Sequence, residues 1–140
     1  MSLLKPIISI VTPTYNRKDE LIHLIESIQG QSLSPEYFEM IISDDGSTDG
    51  TAEKIKELQK EISFNLLYIS QKNLGPGAAR NNGVNNSNGE LIVFIDSDCE
   101  ADIDWLKNIF NSYRNNEFDA FGGPDLAREN FLPIQRAINF

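Results

Sequence analysis

The chain has 140 residues, 40% of them hydrophobic and 24% charged, with 9 Gly and 6 Pro, which fits one globular domain and excludes collagen-like and low-complexity classes. With 12 Lys and Arg against 21 Asp and Glu, the formal net charge is −9, the wrong sign for gripping a phosphate polymer, so nucleic acid is not an expected partner. One Cys and one His exclude a disulfide framework and a multi-cysteine zinc site, so any metal is expected to be bound by oxygen.

Ile7-Ile8-Ser9-Ile10-Val11 is a short, β-branched apolar run and predicts a buried strand, ended by Thr12-Pro13 because proline removes a ladder donor. From Asp19 onward Leu21, Leu24, Ile25 and Ile28 recur at helical spacing, and Gly30 occupies the C-terminal cap position. Met40-Ile41-Ile42 predicts a second strand. It leads into Asp44-Asp45-Gly46-Ser47-Thr48-Asp49-Gly50, after which Ile55, Leu58 and Ile62 mark one face of a second helix. Leu66 to Ile69 reads as a third strand, and a small-residue helix from Ala78 to Asn86 follows Asn73-Leu74-Gly75-Pro76-Gly77. Leu91 to Ile95 gives the strongest buried-strand signal, with Asp96-Ser97-Asp98 immediately behind it. A fourth helix carries Trp105 or Leu106, Ile109, Phe110 and Tyr113 on one face, and Phe118 to Phe121 reads as a fifth strand ending at Gly122-Gly123-Pro124. The tail from Leu126 to Phe140 has no following strand or cap, so the expectation is a single domain over 1–140 that is truncated at its C-terminus.

Alternating strands and helices predict an α/β fold, a mostly parallel sheet with helices on both faces in three layers, joined by right-handed crossovers. Such sheets bind ligands outside the carboxyl ends of their strands, where the polar loops fall. Asp44-Asp45 and Asp96-Ser97-Asp98 end two different strands. Carboxylates held together repel unless a cation or strong donors neutralise them, and Mg²⁺ or Mn²⁺ suits a few carboxylates plus phosphate and water oxygens. Each cluster alone reads equally well as turn and helix-cap chemistry. A calcium loop is excluded, since Lys56 and Lys107 stand where its bidentate Glu belongs. Gly75-Pro76-Gly77 ahead of Arg80 joins a close backbone approach, a helix N-terminus and a cation, which suits a nucleotide. The same residues also read as a turn and a carboxylate-paired arginine. His23 is expected on an exposed helix side and Cys99 as a packing residue. No apolar run reaches the length of a membrane span and the N-terminus lacks a signal-peptide pattern, so the expected setting is cytoplasmic, or at the inner face of a membrane for a longer protein.

Taken in order, Val11-Thr12-Pro13-Thr14-Tyr15-Asn16-Arg17, Asp44 to Thr51, Asn73 to Asn81 and Phe94-Ile95-Asp96-Ser97-Asp98 with Trp105-Leu106 resemble the nucleotide-sugar-binding portion of family 2 glycosyltransferases, which have the GT-A fold. The resemblance covers nearly the whole chain. It implies that Pro13, Thr14, Tyr15 and Asn16 form the loop beside the base, that Asp45 accepts from a uracil imide with Asp44 next to it, and that Arg80 behind Gly75 contacts base or phosphate. It further implies that Asp96-Ser97-Asp98 is the DXD motif, with Asp96 near the ribose and Asp98, with Asp96 beside it, at a Mg or Mn ion. The implied reaction transfers a sugar from a nucleoside diphosphate sugar, a UDP-sugar ahead of a GDP-sugar, to a glycan, lipid-linked or other hydroxyl acceptor with inversion.

The family's catalytic base usually lies downstream in an acidic pair, and a Gln-x-x-Arg-Trp element follows; neither is recognisable, and Gln135-Arg136 does not supply the latter. Asp125 is the nearest candidate base. Two other classes fit parts of the pattern: a phospho-receiver domain, whose acidic pair should however follow the first strand, and a catalytically inactive nucleotide-binding module.

Overall fold

The computed structural model describes residues 5–115. The four strands β1 (Ile8–Thr14), β2 (Phe38–Asp44), β3 (Asn65–Ser70) and β4 (Leu91–Phe94) alternate with the helices α1 (Lys18–Gln29), α2 (Thr51–Gln59), α3 (Pro76–Asn85) and α4 (Trp105–Arg114). All pairings are parallel and the sheet order is β3-β2-β1-β4. The chain steps outward from β1 to β3 and then returns across the sheet to β4. With right-handed crossovers this reversal puts α3 on the face opposite α1 and α2.

The packing agrees. Leu21, Leu24, Ile25 and Ile28 of α1, Ile55 and Leu58 of α2, and Trp105, Leu106 and Ile109 of α4 share one core with Ile8, Ile10, Met40, Ile42, Leu66 and Val93. Those strand residues have one parity, so they project from one face. On the other face α3 lies close to the sheet: a Cβ at Gly83 would land on Val11 Cγ1, and Ser43 Oγ donates to the Ala79 carbonyl at 2.6 Å. Only a glycine admits that approach, which is why this helix is built of small residues.

One expectation needs correction. β1 does not stop before Thr12-Pro13 but runs through Thr14, with Pro13 opposite Ser43 and Thr14 opposite Asp44. Val11 turns its carbonyl to β4, where it accepts from the Ile95 amide. Pro13, two residues on, therefore faces the same side, past the last β4 residue paired with β1, and its missing N–H breaks no ladder bond. β4, as expected a strand, is the last strand of the described sheet beside β1. The expected fifth strand at Phe118 to Phe121, its Gly122-Gly123-Pro124 end, Asp125, Gln135-Arg136 and the apolar tail lie outside the described residues. The order β3-β2-β1-β4 also departs from the 2-1-3-4-5 arrangement of phospho-receiver domains, which sets that alternative aside.

Candidate functional site

The carboxyl ends of β1 and β4 lie side by side at the break in the sheet order, where strands adjacent in space are not consecutive in the chain. A cleft of about 500 Å³ opens there. It brings together Pro13, Thr14 and Tyr15 from the end of β1, Asp45 from the end of β2, Gly75 and Arg80 from the start of α3, and Asp96, Ser97 and Asp98 from the end of β4. The remaining lining residues, Arg17, Asn73, Pro76 and Ala79, were not singled out as site residues from the sequence. Arg17 and Asn73 stand within the motifs themselves, so adjacency was the available signal.

Asp45 is 5% exposed and organises the loop before α3. Its Oδ1 accepts from Gln71 Nε2 at 2.9 Å and the Leu74 amide at 2.8 Å, and its Oδ2 accepts from the Gly75 amide at 2.9 Å. The Leu74 amide foremost, with Gln71 and Gly75, holds the carboxyl below its usual range against the opposing effect of burial. Gly75 sits at φ 100°, a conformation that a side chain strains. Pro76 opens α3, and the first intrahelical bond runs from the Ala79 amide to the Gly75 carbonyl. The amides of Gly77 and Ala78 precede that bond, so the helix start carries the donors and partial positive charge that suit an anion.

Asn16 and Asp44 stand behind the cleft, not on its lining. Asn16 adopts φ 52°; its amide donates to Ser47 Oγ at 2.8 Å and its Oδ1 accepts from the Thr48 amide at 2.7 Å. Asp44 is buried, accepting from the Tyr68 hydroxyl at 2.5 Å and the Ser47 amide at 2.9 Å. Burial first, then the hydrogen bond and charge of Asp44, push the Tyr68 hydroxyl well above its usual range. Asp49 ties two helix starts together, since it accepts from the Lys18 amide and from both the amide and hydroxyl of Thr51. Burial works to raise its carboxyl, but those donors outweigh burial and leave it lowered. The acidic loop thus has two jobs: Asp45 shapes the cleft, while Asp44 and Asp49 brace the loops beneath it.

The turn after β4 is closed by the Cys99 amide on the Asp96 carbonyl at 3.1 Å. Arg80 Nη2 reaches Asp96 Oδ1 at 3.0 Å, with side chains 38% and 51% exposed. Behind the turn, Gln31 donates to the Asp102 carbonyl at 2.6 Å and accepts from the Leu106 amide at 3.0 Å, and the Ala101 amide donates to Ser27 Oγ. These anchors fasten the aspartate turn to the end of α1 and carried no sequence signal. Cys99 is buried in the core as expected, and His23 is exposed beside Glu26.

Three carboxylates, Asp45, Asp96 and Asp98, face two guanidiniums, Arg17 and Arg80, across the cleft. Among the described residues no group of three or more His, Cys, Asp or Glu side chains forms an all-protein metal cage. Two carboxylates on one turn fit a hard divalent ion that takes its other oxygens from a phosphate ligand and water. Thr14 Oγ1 is buried in the lining without a hydrogen-bond partner among the described residues. Among the described residues no helix is long and apolar enough to cross a membrane.

Comparison with known proteins gives a consistent picture. The profile of glycosyl transferase family 2 matches residues 9–139. The GalNAc(5)-diNAcBac-PP-undecaprenol beta-1,3-glucosyltransferase of Campylobacter jejuni is 31% identical over 128 residues, 91% of this chain and 41% of that protein. S. aureus TarS in complex with UDP superposes with a TM-score of 0.78 at 24% identity, over 91% of this chain and 38% of that one. The mannosyltransferase PcManGT of Pyrobaculum calidifontis, in complex with GDP-Man and Mn²⁺, gives a TM-score of 0.71 at 21% identity, over 90% and 37%. The chain spans 14% to 53% of the length of the first curated relatives it matches.

Proposed function

Because this chain belongs to glycosyl transferase family 2, we propose that its cleft holds the nucleoside diphosphate of a sugar donor, UDP ahead of GDP, for transfer of the sugar to an acceptor hydroxyl with inversion. The observation that carries the reading is the cleft itself, where two arginines and the start of α3 meet carboxylates at the carboxyl ends of a GT-A sheet. UDP in the TarS complex and GDP-Man with Mn²⁺ in PcManGT support nucleotide binding at a fold of this kind.

The uracil preference follows from Asp45. A carboxylate offers about four lone-pair sites; Oδ1 already receives two donors and Oδ2 one. One acceptor position remains, and an imide N–H fills it. Tyr15, 46% exposed on the cleft, offers a ring face for the base. Arg80 and the first amides of α3 hold the diphosphate, the guanidinium through its planar fork. Asp98, with Asp96, would hold a divalent ion, which when bound would supply positive charge against the charge growing on the leaving group. The chain's own donors act on that same charge by being oriented before the reaction begins, so no reorganisation is needed as the bond to the anomeric carbon breaks. Inversion requires the acceptor hydroxyl to attack from the face opposite the diphosphate, with a carboxylate taking its proton. Asp125, outside the described residues, remains the candidate for that base. The reading assigns donor binding to this chain in a cytoplasmic setting, and acceptor choice, whether glycan, lipid-linked or another hydroxyl, to residues beyond the donor cleft. The Campylobacter relative's name, which includes an undecaprenol-linked glycan, supports the lipid-linked class.

Isothermal titration with UDP and with GDP, each with Mn²⁺ and with chelator, tests the proposal without an acceptor. Saturable, Mn²⁺-dependent UDP binding is the expected result. Failure of both nucleotides to bind under either condition would overturn it.

A further inference from the structure

The two arginines of the cleft are committed in different ways. Arg17 pairs with Glu20 on its own helix at 3.0 Å, whereas Arg80 reaches across from α3 to Asp96, on the turn that also carries Asp98. We propose that the Arg80–Asp96 pair is an exchange contact: Arg80 occupies Asp96 in place of the divalent ion, and arrival of the ion releases the guanidinium to the diphosphate. The inference rests on the donor-site reading above and adds to it an order of partners for one side chain.

The geometry supports exchange over permanent bracing. The pair is joined by one nitrogen and one oxygen, with both side chains in contact with solvent, and exposed pairs of this kind shift an equilibrium by a factor of only about 1.5 to 5. A contact that weak is broken readily by a dication. Without an ion, Asp96 and Asp98 on one short turn need a positive neighbour, and Arg80 is the cation that touches either of them among the described residues. Once displaced, its fork of five donors stands beside the α3 N-terminus, where a diphosphate would lie. Ion and nucleotide therefore favour each other beyond any direct bond between them. By reciprocity each tightens the other by the same factor.

Arg17 makes the idea testable, because it has the same charge in the same cleft with no hold on the aspartate turn. Binding of Mn²⁺ alone to the full 140-residue chain is measured by the electron paramagnetic resonance of free Mn²⁺, for wild type, Arg80→Gln, Arg80→Lys and Arg17→Gln. Exchange predicts that Arg80→Gln tightens Mn²⁺ by about 1.5- to fivefold more than Arg17→Gln does, the range of an exposed pair, with Arg80→Lys between Arg80→Gln and wild type. The factor by which Mn²⁺ tightens UDP should fall in Arg80→Gln by up to that same ratio. Arg80→Lys keeps the stem and the charge and so guards against a folding artefact. Equal tightening by Arg80→Gln and Arg17→Gln, in a protein whose wild type binds UDP with Mn²⁺, would overturn the exchange and leave the donor site standing. Absence of both Mn²⁺ and UDP binding in every variant would overturn the donor site and the exchange together.

Discussion

Asn16 offers a direct test of how the cleft is held open. Among the described residues it is the non-glycine residue at positive φ, 52°, and it joins the β1 end to the acidic loop through Ser47 Oγ and the Thr48 amide. Its neighbours Tyr15 and Arg17 both line the cleft. Asn16→Gly keeps the backbone conformation and the Ser47 bond but loses the side-chain acceptor for Thr48, about 0.5–1.5 kcal/mol, and adds chain entropy to the unfolded state worth about 0.4–1 kcal/mol. Asn16→Ala loses the same acceptor and adds about 1–2 kcal/mol of left-handed strain, because alanine has a Cβ and no amide to compensate it. The expected order of stability is Asn, then Gly, then Ala, with the alanine variant about 2.5 kcal/mol below wild type. With a urea slope of about 2 kcal/mol/M, that moves the midpoint by about 1.2 M. The single Trp105, buried on α4, reports unfolding by fluorescence. UDP affinity should fall in the same order. An alanine variant as stable as the glycine variant would refute the claim that left-handed backbone at Asn16 is what fixes this loop.

Three further outcomes are expected. Tyr68→Phe removes a hydrogen bond to the buried Asp44 carboxylate and should cost about 1.5–3 kcal/mol in urea unfolding; a loss under about 0.5 kcal/mol would contradict that geometry. The folded Asp45 carboxyl lies below its ordinary value of 3.8, so on acidification the unfolded chain takes up its proton first. Its stabilisation is complete above that value and is lost as pH falls toward the depressed folded one. Urea midpoints followed into acid should accordingly drop more steeply for wild type than for Asp45→Asn, and parallel curves would count against the Leu74, Gly75 and Gln71 bonds. Asp98→Asn should abolish most Mn²⁺-dependent nucleotide binding while leaving the unfolding curve in place, and an unchanged titration would remove Asp98 from the ion site.

The elements were legible where one local signal decided them. Leu21, Leu24, Ile25 and Ile28 repeat at helical spacing and are all buried on α1, and the β-branched runs before Thr12, Asp44 and Asp96 are all strands. What local signals could not convey was position in the sheet. The runs before Thr12 and Asp96 read alike, yet only the pairing shows that β1 and β4 are neighbours, because a hydrophobic run reports apolar surroundings and not which strands lie beside it. Pro13 misled for the same reason. A proline ends a strand only if its missing N–H faces a partner, and whether it does depends on how far β4 extends along β1, which is fixed 80 residues away.

The site divides along similar lines, and the adjacent pair Asp44-Asp45 shows why. Both aspartates follow the same apolar run, and the sequence treats them alike. The strand does not, because successive residues point to opposite faces. Asp44 shares parity with Met40 and Ile42, which face the main core, and there it meets the hydroxyl of Tyr68, 24 residues later. Asp45 takes the other direction, receives the loop amides of Leu74 and Gly75, and opens onto the cleft. A one-residue slip of β2 against β1 would exchange the two roles and leave a carboxylate without donors in the core, which costs far more than any cleft contact returns. The Tyr68 hydroxyl and the Leu74 amide therefore do more than satisfy two side chains. They make the register of β2 the arrangement in which both aspartates are satisfied, and so the same pairing that stabilises the sheet also aims one carboxylate at the ligand.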